Sequence, residues 1–421
     1  MTSFCIETSG SSHHLAEAER MAGLLQQARF EPKEKVEDAD IVILNPCTIP
    51  EPGARLFLHQ LKDIRRNYPY KIIIVAGCLP QTDPEELKGY PVLATGQIHH
   101  IVEVVEEALH NNIIKILGSE ESPLNLPKIR RNQFIEVIPI TYGCANACTF
   151  CQIKEAPTVL SSYPVSEIVE AARKALQEGV KEIWLTSQDV VGYGFDKNTT
   201  LPTLLKELTA LPGNFKIWMS RGNPIHLQKI KEELFPLLNH EKVFRFLHLP
   251  IYSGSNRILR SINSRNTVEE FSSYVDELRL KVPLVTLATD AMVGFQIETE
   301  EDYWETLTMV RKLTPDLMKI SRSQIIPKKS TKMRSLPEET ITHRLRVLTD
   351  IFTNISKMQN ERWVGWQGDI ILEEKGNGTQ WIGRNLSYKP VVVEGDYKLG
   401  DVLMVKITKA GMFELRGEVI R

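Results

Sequence analysis

Tyr142-Gly143-Cys144-Ala145-Asn146-Ala147-Cys148-Thr149-Phe150-Cys151 places three cysteines at C-x3-C-x2-C spacing directly after the apolar run Glu136–Thr141. Thiolates at this spacing suit three corners of a cubane iron–sulfur cluster, and a cubane with three protein ligands keeps one iron open to a small molecule. A structural zinc ion wants a fourth cysteine or histidine close by, and the residues just after Cys151 carry neither. Three unrelated buried cysteines are the plainer alternative. Cys144, Cys148 and Cys151 are expected to ligate a 4Fe–4S cluster.

The pattern around the triad is a β/α alternation from about residue 132 to 360. Glu136–Thr141, Glu182–Ser187, Phe215–Ser220, Val243–Ile251, Leu284–Val293 and Leu317–Ile326 read as strands. Helical periods over Ser166–Glu178, Leu201–Leu211, His226–His240, Val268–Leu280, Thr299–Leu313 and Glu338–Asn360 separate or follow them. Six such units predict a partial (β/α)6 TIM-like barrel, whose chemistry belongs on the loops after the strands. The triad follows the first of these strands. Ahead of it, residues 1–125 alternate short strands (Ser3–Thr8, Ile41–Leu44, Lys71–Val75) with helices (His14–Ala28, Ile101–Leu109). That predicts an α/β domain with a small doubly wound parallel sheet. Its strand ends are Ser9-Gly10-Ser11-Ser12, Asn45-Pro46-Cys47 and Ala76-Gly77-Cys78. Residues 364–421 predict a small C-terminal antiparallel β-barrel with strands at Ile370–Leu372, Pro390–Glu394, Val402–Ile407 and Phe413–Val419. Leu126–Asn132 reads as a linker whose three cations meet either phosphate or solvent.

The 421 residues allow two or three domains with a large core. A formal net charge of −2 argues against a protein that coats nucleic acid in bulk, though not against a local basic face. Six cysteines are too few for a disulfide scaffold, and five of them lie in loops after apolar runs, which points to metal ligation in a reducing compartment. No leading apolar region and no apolar run of about 18 residues is present, so a cytoplasmic protein without a membrane span is expected.

Several short stretches recur in a fixed order: Ile6-Glu7-Thr8, Met21-Ala22-Gly23, Val75-Ala76-Gly77-Cys78-Leu79-Pro80-Gln81, Leu126-Pro127-Lys128-Ile129-Arg130, the cysteine loop, and Glu182-Ile183-Trp184-Leu185-Thr186-Ser187. Phe246-Leu247-His248, Ala288-Thr289-Asp290 and Gly294-Phe295 follow. With these the chain resembles the radical S-adenosylmethionine (SAM) methylthiotransferases, especially the archaeal and eukaryotic branch that modifies tRNA. Phe150, just before the third cysteine, belongs to the same pattern and is implied as a cofactor contact. The terminal segment resembles the TRAM domain, which contacts RNA in this family. The resemblance implies that the barrel cluster binds SAM and reduces it to a 5′-deoxyadenosyl radical, which takes hydrogen from an adenine carbon. A second iron–sulfur cluster in the first domain would carry the methylated sulfur. The implied substrate is threonylcarbamoyladenosine beside the tRNA anticodon, and the implied partners are tRNA and an electron-donor protein. An aromatic C–H bond has no acidic proton, so this work falls to cofactors rather than to side-chain acids and bases.

The chain also departs from that family. The three first-domain cysteines align with Ser11, Cys47 and Cys78, and the first is a serine, a harder and weaker donor to iron than thiolate. Cys5 lies within a strand and is expected to pack as a small apolar residue. His13 and His14 are expected to be exposed at a helix start, with imidazole ligation of iron as the alternative. The family's Ala-Arg-Gly is Ala156-Pro157-Thr158, its Gly-Phe-Pro-Gly-Glu-Thr is Gly294-Phe295-Gln296-Ile297-Glu298-Thr299, and a glutamine is Tyr252. A Pro-Arg-Pro-Gly-Thr-like stretch has become Pro327-Lys328-Lys329-Ser330-Thr331. These changes keep two other readings open: a paralogue acting on another substrate such as a protein, and a non-catalytic cluster carrier within a larger complex. Asp290 is a candidate catalytic residue, and Asp189 is a candidate SAM contact with a turn cap as its alternative. His248 is expected to be a satisfied core histidine. Arg384, Tyr388 and Lys389 are candidate RNA contacts, with a solvated barrel face as the alternative.

Overall fold

The computed structural model describes residues 1–46, 53–82, 85–118, 124–146, 148–149, 151, 159–323 and 336–420. The chain forms two compact units. One comprises Met1–Arg131, Val137–Asn146 and Cys151–Ala171; the other comprises Asn132–Glu136, Ala147–Phe150 and Ala172–Arg421. The expected division was 1–125, 132–360 and 364–421; the terminal barrel falls in one unit with Ala172–Glu361, and Val137–Asn146 and Cys151–Ala171 fall with the first domain.

The first unit carries a parallel sheet of β1 (Ser3–Thr8), β2 (Glu31–Pro32), β3 (Ile41–Asn45), β4 (Ile72–Gly77), β5 (Val92–Ala94) and β6 (Lys115–Ile116), in the order β2-β1-β3-β4-β5-β6. Side chains alternate between its faces. Ile41 and Ile43 pack with Met21 and Leu25 of helix Ser12–Gln27 and with Val104 and Val105 of helix Ile101–Leu109. Val42 and Leu44 pack with Phe57, Leu61 and Ile64 of helix Gly53–Asn67, which the sequence reading missed. Both faces are covered, which is why β3 reads as an unbroken apolar run. Leu126–Arg131 is not a loose linker. The Ile129 N–H donates to the Glu19 carbonyl (2.9 Å), and Arg131 donates to the Ile6 carbonyl (2.8 Å). Gly23 lets it pass, since a Cβ there would collide with the backbone of Pro127 and Lys128.

β7 (Ile135–Pro139) is followed in the first unit by a short antiparallel pair, β8 (Thr141–Tyr142) with β9 (Ser161–Ser162). In the second unit, the Phe134 carbonyl just ahead of β7 accepts the N–H groups of Lys181 and Glu182 at 2.8 and 3.0 Å. The central barrel continues with parallel strands β10 (Glu182–Thr186), β11 (Lys216–Met219), β12 (Phe246–His248), β13 (Thr286–Val293) and β14 (Leu317–Arg322), alternating with helices as the sequence predicts. All eight residues of β13 are buried. Helix Glu300–Leu313 starts at a reciprocal cap between Thr299 and Asp302.

β15 (Gln367–Lys375), β16 (Gln380–Arg384), β17 (Pro390–Glu394), β18 (Val402–Ala410) and β19 (Leu415–Val419) close a barrel around Ile370, Trp381, Val393, Val405 and Leu415. It docks on residues that precede the central strands. Arg245, just before β12, donates its N–H to the Leu386 carbonyl (2.9 Å), and Ser387 Oγ donates to the Leu284 carbonyl (2.6 Å) ahead of β13. The terminal barrel therefore caps the amino-terminal ends of the central strands, opposite their functional loops.

Candidate active site

At the carboxyl ends of the central strands a series of polar side chains crosses from one strand to the next. After β10, the Ser187 N–H donates to Ser220 Oγ (3.0 Å) and the Asp189 N–H donates to Ser187 Oγ (3.0 Å). Asp189 Oδ1 accepts the N–H groups of Asn223 (2.7 Å) and Gly192 (3.3 Å), and its Oδ2 lies 2.7 Å from His226 Nδ1. Asp189 thus ties two loops together, in line with the cap alternative. His248, at the end of β12, is not a sealed core residue. It is half-buried, and its Nε2 lies 2.8 Å from Asp290 Oδ1 on β13. Arg221, after β11, stands 3.9 Å from Asp290 Oδ2. Burial opposes ionisation of Asp290, but the His248 hydrogen bond and the neighbouring His248, Arg221 and Lys319 charges outweigh it and hold the carboxyl below the usual aspartate range.

The loops that bear the family differences are rigidly held where they are described. Tyr252 has φ +73°, a strained value for an aromatic residue, and its backbone bonds Asp290 and Met292 (2.8 Å each) keep it there. The Gly294 N–H donates to Glu298 Oε2 (2.8 Å), which also meets Arg344 at 2.7 Å; both side chains are almost wholly buried. Burial raises the Glu298 carboxyl despite that arginine. Ala156-Pro157-Thr158 and Pro327–Thr331 lie outside the described residues, as do Cys47 and Phe150.

Cys144, Cys148 and Cys151 follow β8 and are each half-buried. Asn146 donates to Cys144 Sγ from its backbone (3.4 Å) and its side chain (3.2 Å), bonds that favour thiolate. Among the described residues no three His, Cys, Asp or Glu side chains converge as they would on one ion. A cubane gives each thiolate its own iron, so its ligands need not converge.

The first-unit strand ends hold a second cluster of polar groups. Helix Ser12–Gln27 starts earlier than predicted, and His14 is buried rather than exposed, at 2%. Its ring bridges Ser11 Oγ (Nδ1, 3.1 Å) and Cys78 Sγ (Nε2, 3.3 Å). Burial lowers the His14 pKa and drives that of His13 down to about 4. Glu17 Oε1 accepts from Thr95 Oγ1 at 2.8 Å, and Thr95 Oγ1 lies 4.0 Å from Cys78 Sγ. The Thr95 carbonyl accepts from Tyr142 Oη (3.3 Å), two residues ahead of Cys144. The spacing His14, Ala18, Met21, Leu25 was the available sign that His14 belongs to the apolar stripe. Cys5 packs in the core as expected, and burial pushes its thiol up to about 11.

Three family models match the chain in succession: Uncharacterized protein family UPF0004 over residues 3–95, Radical SAM superfamily over 138–310, and TRAM domain over 362–420. A human threonylcarbamoyladenosine tRNA methylthiotransferase is 35% identical, over 99% of this chain and 73% of its own length. A probable enzyme of the same name from Pyrococcus horikoshii is 32% identical over 100% of both chains. The chain belongs to the threonylcarbamoyladenosine tRNA methylthiotransferase family. Among solved structures, a radical SAM methyltransferase from Kitasatospora setae shares the fold at TM-score 0.55 and 13% identity, covering 90% of this chain and 82% of that one.

In this methylthiotransferase the expected RNA contacts require correction. Lys389 is 2% exposed and pairs with Asp316 Oδ1 and Asn360 Oδ1, each at 2.9 Å. Tyr388 is buried against Phe244, Phe246, Trp184 and Trp218, with centroids 4.9, 5.5, 6.3 and 5.6 Å away. Arg384 donates from Nε to Glu373 Oε2 (3.0 Å) and stacks on Tyr388. Tyr388 and Lys389 hold the terminal barrel to the central one, and Arg384 supports Tyr388 from within the terminal barrel. Exposed cations of the terminal barrel include Lys406 and Lys409 on β18, the latter in register with exposed Arg416 on β19. No helix among the described residues is long and apolar enough to cross a membrane.

Proposed function

We propose that this chain is a tRNA methylthiotransferase that places a methylthio group on the adenine of threonylcarbamoyladenosine by SAM radical chemistry. The observation that carries this reading is the three-cysteine loop, within the Radical SAM match over residues 138–310 of a chain related over nearly its whole length to enzymes named for that activity. The donor set fits a 4Fe–4S cluster: three half-buried thiols, with Cys144 Sγ accepting from Asn146, in a loop without a fourth cysteine or histidine. Bound there, such a cluster supplies the electron that cleaves SAM to a carbon radical, and that electron comes from a donor protein.

The chain's own residues bind and orient. Arg221 and His248 offer donors at the barrel mouth, and Asp290 fixes the His248 ring and keeps the arginine close. Asp189 holds the loops after β10 and β11 in register. Lys406, Lys409 and Arg416 on the terminal barrel suit RNA phosphates. Cys47 and Cys78 are the thiols for a second cluster in the first domain, where a serine, Ser11, stands at the position of the third cysteine. Full-length relatedness to tRNA enzymes favours tRNA over a protein substrate.

The test is anaerobic. Reconstituted protein given SAM and dithionite should release 5′-deoxyadenosine, and Cys144→Ala should abolish the release. Incubation with threonylcarbamoyladenosine-bearing tRNA should yield the methylthio nucleoside by mass spectrometry. Release without that product removes tRNA as the substrate.

A further inference from the structure

The bridge from Ser11 through His14 to Cys78 assigns roles that the serine alone leaves unexplained. Ser11 Oγ lies 3.1 Å from Nδ1 and Cys78 Sγ lies 3.3 Å from Nε2 of the same ring. The two ring nitrogens face opposite ways, so Ser11 does not share a metal with Cys78. Ser11 Oγ is placed to accept the Nδ1–H, and in that tautomer the Nε2 lone pair is directed at the thiol. That is the arrangement of a ligating histidine with its outer partner. Ser11 adopts an N-cap conformation, but its hydroxyl makes no cap bond and serves the imidazole instead.

A second observation marks a missing group beside this bridge. Glu17 Oε2 and His13 Nδ1 are buried with no hydrogen-bond partner among the described residues, and Glu17 is only 3% exposed. Buried polar atoms of native proteins are nearly always satisfied. The helix that carries His14 thus holds, in its first turns, buried polar atoms without a partner among the described residues. Imidazole is a better donor to iron than a serine oxygen and serves in two-iron clusters.

We propose that His14, through Nε2, takes the place of the absent thiolate, so that the first-domain iron centre has mixed nitrogen and sulfur ligation, with Ser11 as a positioning residue. This rests on the proposed function only in expecting an iron centre in that domain.

The experiment uses the full chain carrying Cys144→Ala, Cys148→Ala and Cys151→Ala, so that the first domain holds the remaining iron. The protein is reconstituted anaerobically with iron and sulfide, reduced, and examined by pulsed electron paramagnetic resonance together with iron analysis. The expected result is a 14N coupling from directly bound imidazole. His14→Ala should remove both the coupling and most of the iron. Adding Ser11→Cys to His14→Ala should restore the iron without the coupling, which separates a lost ligand from a misfolded domain. Ser11→Ala should keep the coupling and weaken iron retention against a chelator roughly tenfold, as loss of an outer partner does. The proposal is overturned by iron without the coupling, by no iron at all, by iron content indifferent to His14→Ala, or by failure of Ser11→Cys to rescue. Release of 5′-deoxyadenosine by the unmodified chain reads the barrel site separately, so failure there strikes the proposed function and leaves this ligand assignment standing.

Discussion

Lys389→Met separates a structural lysine from an RNA-binding one. Lys389 Nζ stands 2.9 Å from Asp316 Oδ1, with the lysine 2% exposed. At an effective dielectric of about 20 the attraction at that distance is about 6 kcal/mol, much of it offset by desolvating both ions. Methionine keeps the apolar stem and leaves Asp316 buried without its counter-ion, which costs about 3–5 kcal/mol. Lys389→Met with Asp316→Asn removes both charges and keeps an oxygen for the Leu287 N–H, which Asp316 Oδ2 accepts at 3.1 Å. The double variant should return to within about 1–2 kcal/mol of the parent. Urea unfolding followed by tryptophan fluorescence reads this directly, because Trp184 and Trp218 line the interface. The reasoning fails if Lys389→Met costs less than about 1 kcal/mol, the range of exposed pairs, and instead weakens tRNA binding with a shallower salt dependence.

Burial and the nearby Glu373 carboxylate raise the Glu182 pKa well above its ordinary value of 4.5. The folded chain therefore keeps a proton that the unfolded chain releases first, and stability should fall as pH climbs above 4.5 until folded Glu182 itself ionises. Glu182→Gln should flatten that slope between pH 5 and about 8 in urea titrations; an unchanged slope refutes the role. Arg344→Ala strands the buried Glu298 and should cost about 3–5 kcal/mol, against near-neutrality if the pair is dispensable. Asp290→Asn should retain full iron while 5′-deoxyadenosine release drops roughly 100-fold; an undiminished rate removes Asp290 from the site.

Periodicity was a good guide wherever an element buries one face or two. The runs of β3, β4 and β13 and the stripe of helix Val165–Gln177 needed no tertiary knowledge to place. β16, Gln-Trp-Ile-Gly-Arg, escaped notice because a glycine interrupts its alternation; a Cβ at Gly383 would press to 2.8 Å on the Ile371 carbonyl oxygen. Strand ends pointed to Asp189 and Asp290, but sequence alone could not tell a tether from a reactive group. Arg384, Tyr388 and Lys389 misled for a physical reason: cations and aromatics that suit RNA also suit a buried, charge-paired interface. His14 was misread because its helix begins earlier than its sequence pattern suggests, which turns a frayed end into a first turn facing the core.

The docking of the terminal barrel at the amino-terminal ends of the central strands acts as a ruler. β13 alone, at eight residues, is about 26 Å long. Asp290 is the fifth residue of that strand, about 13 Å from its docked end, so on the proposed function an RNA gripped by Lys409 and Arg416 must reach past at least that length before its target base arrives at His248 and Asp290. On that proposal the enzyme measures its substrate before it reacts with it, and shortening the RNA should lose the grip while leaving the pocket's own affinity intact.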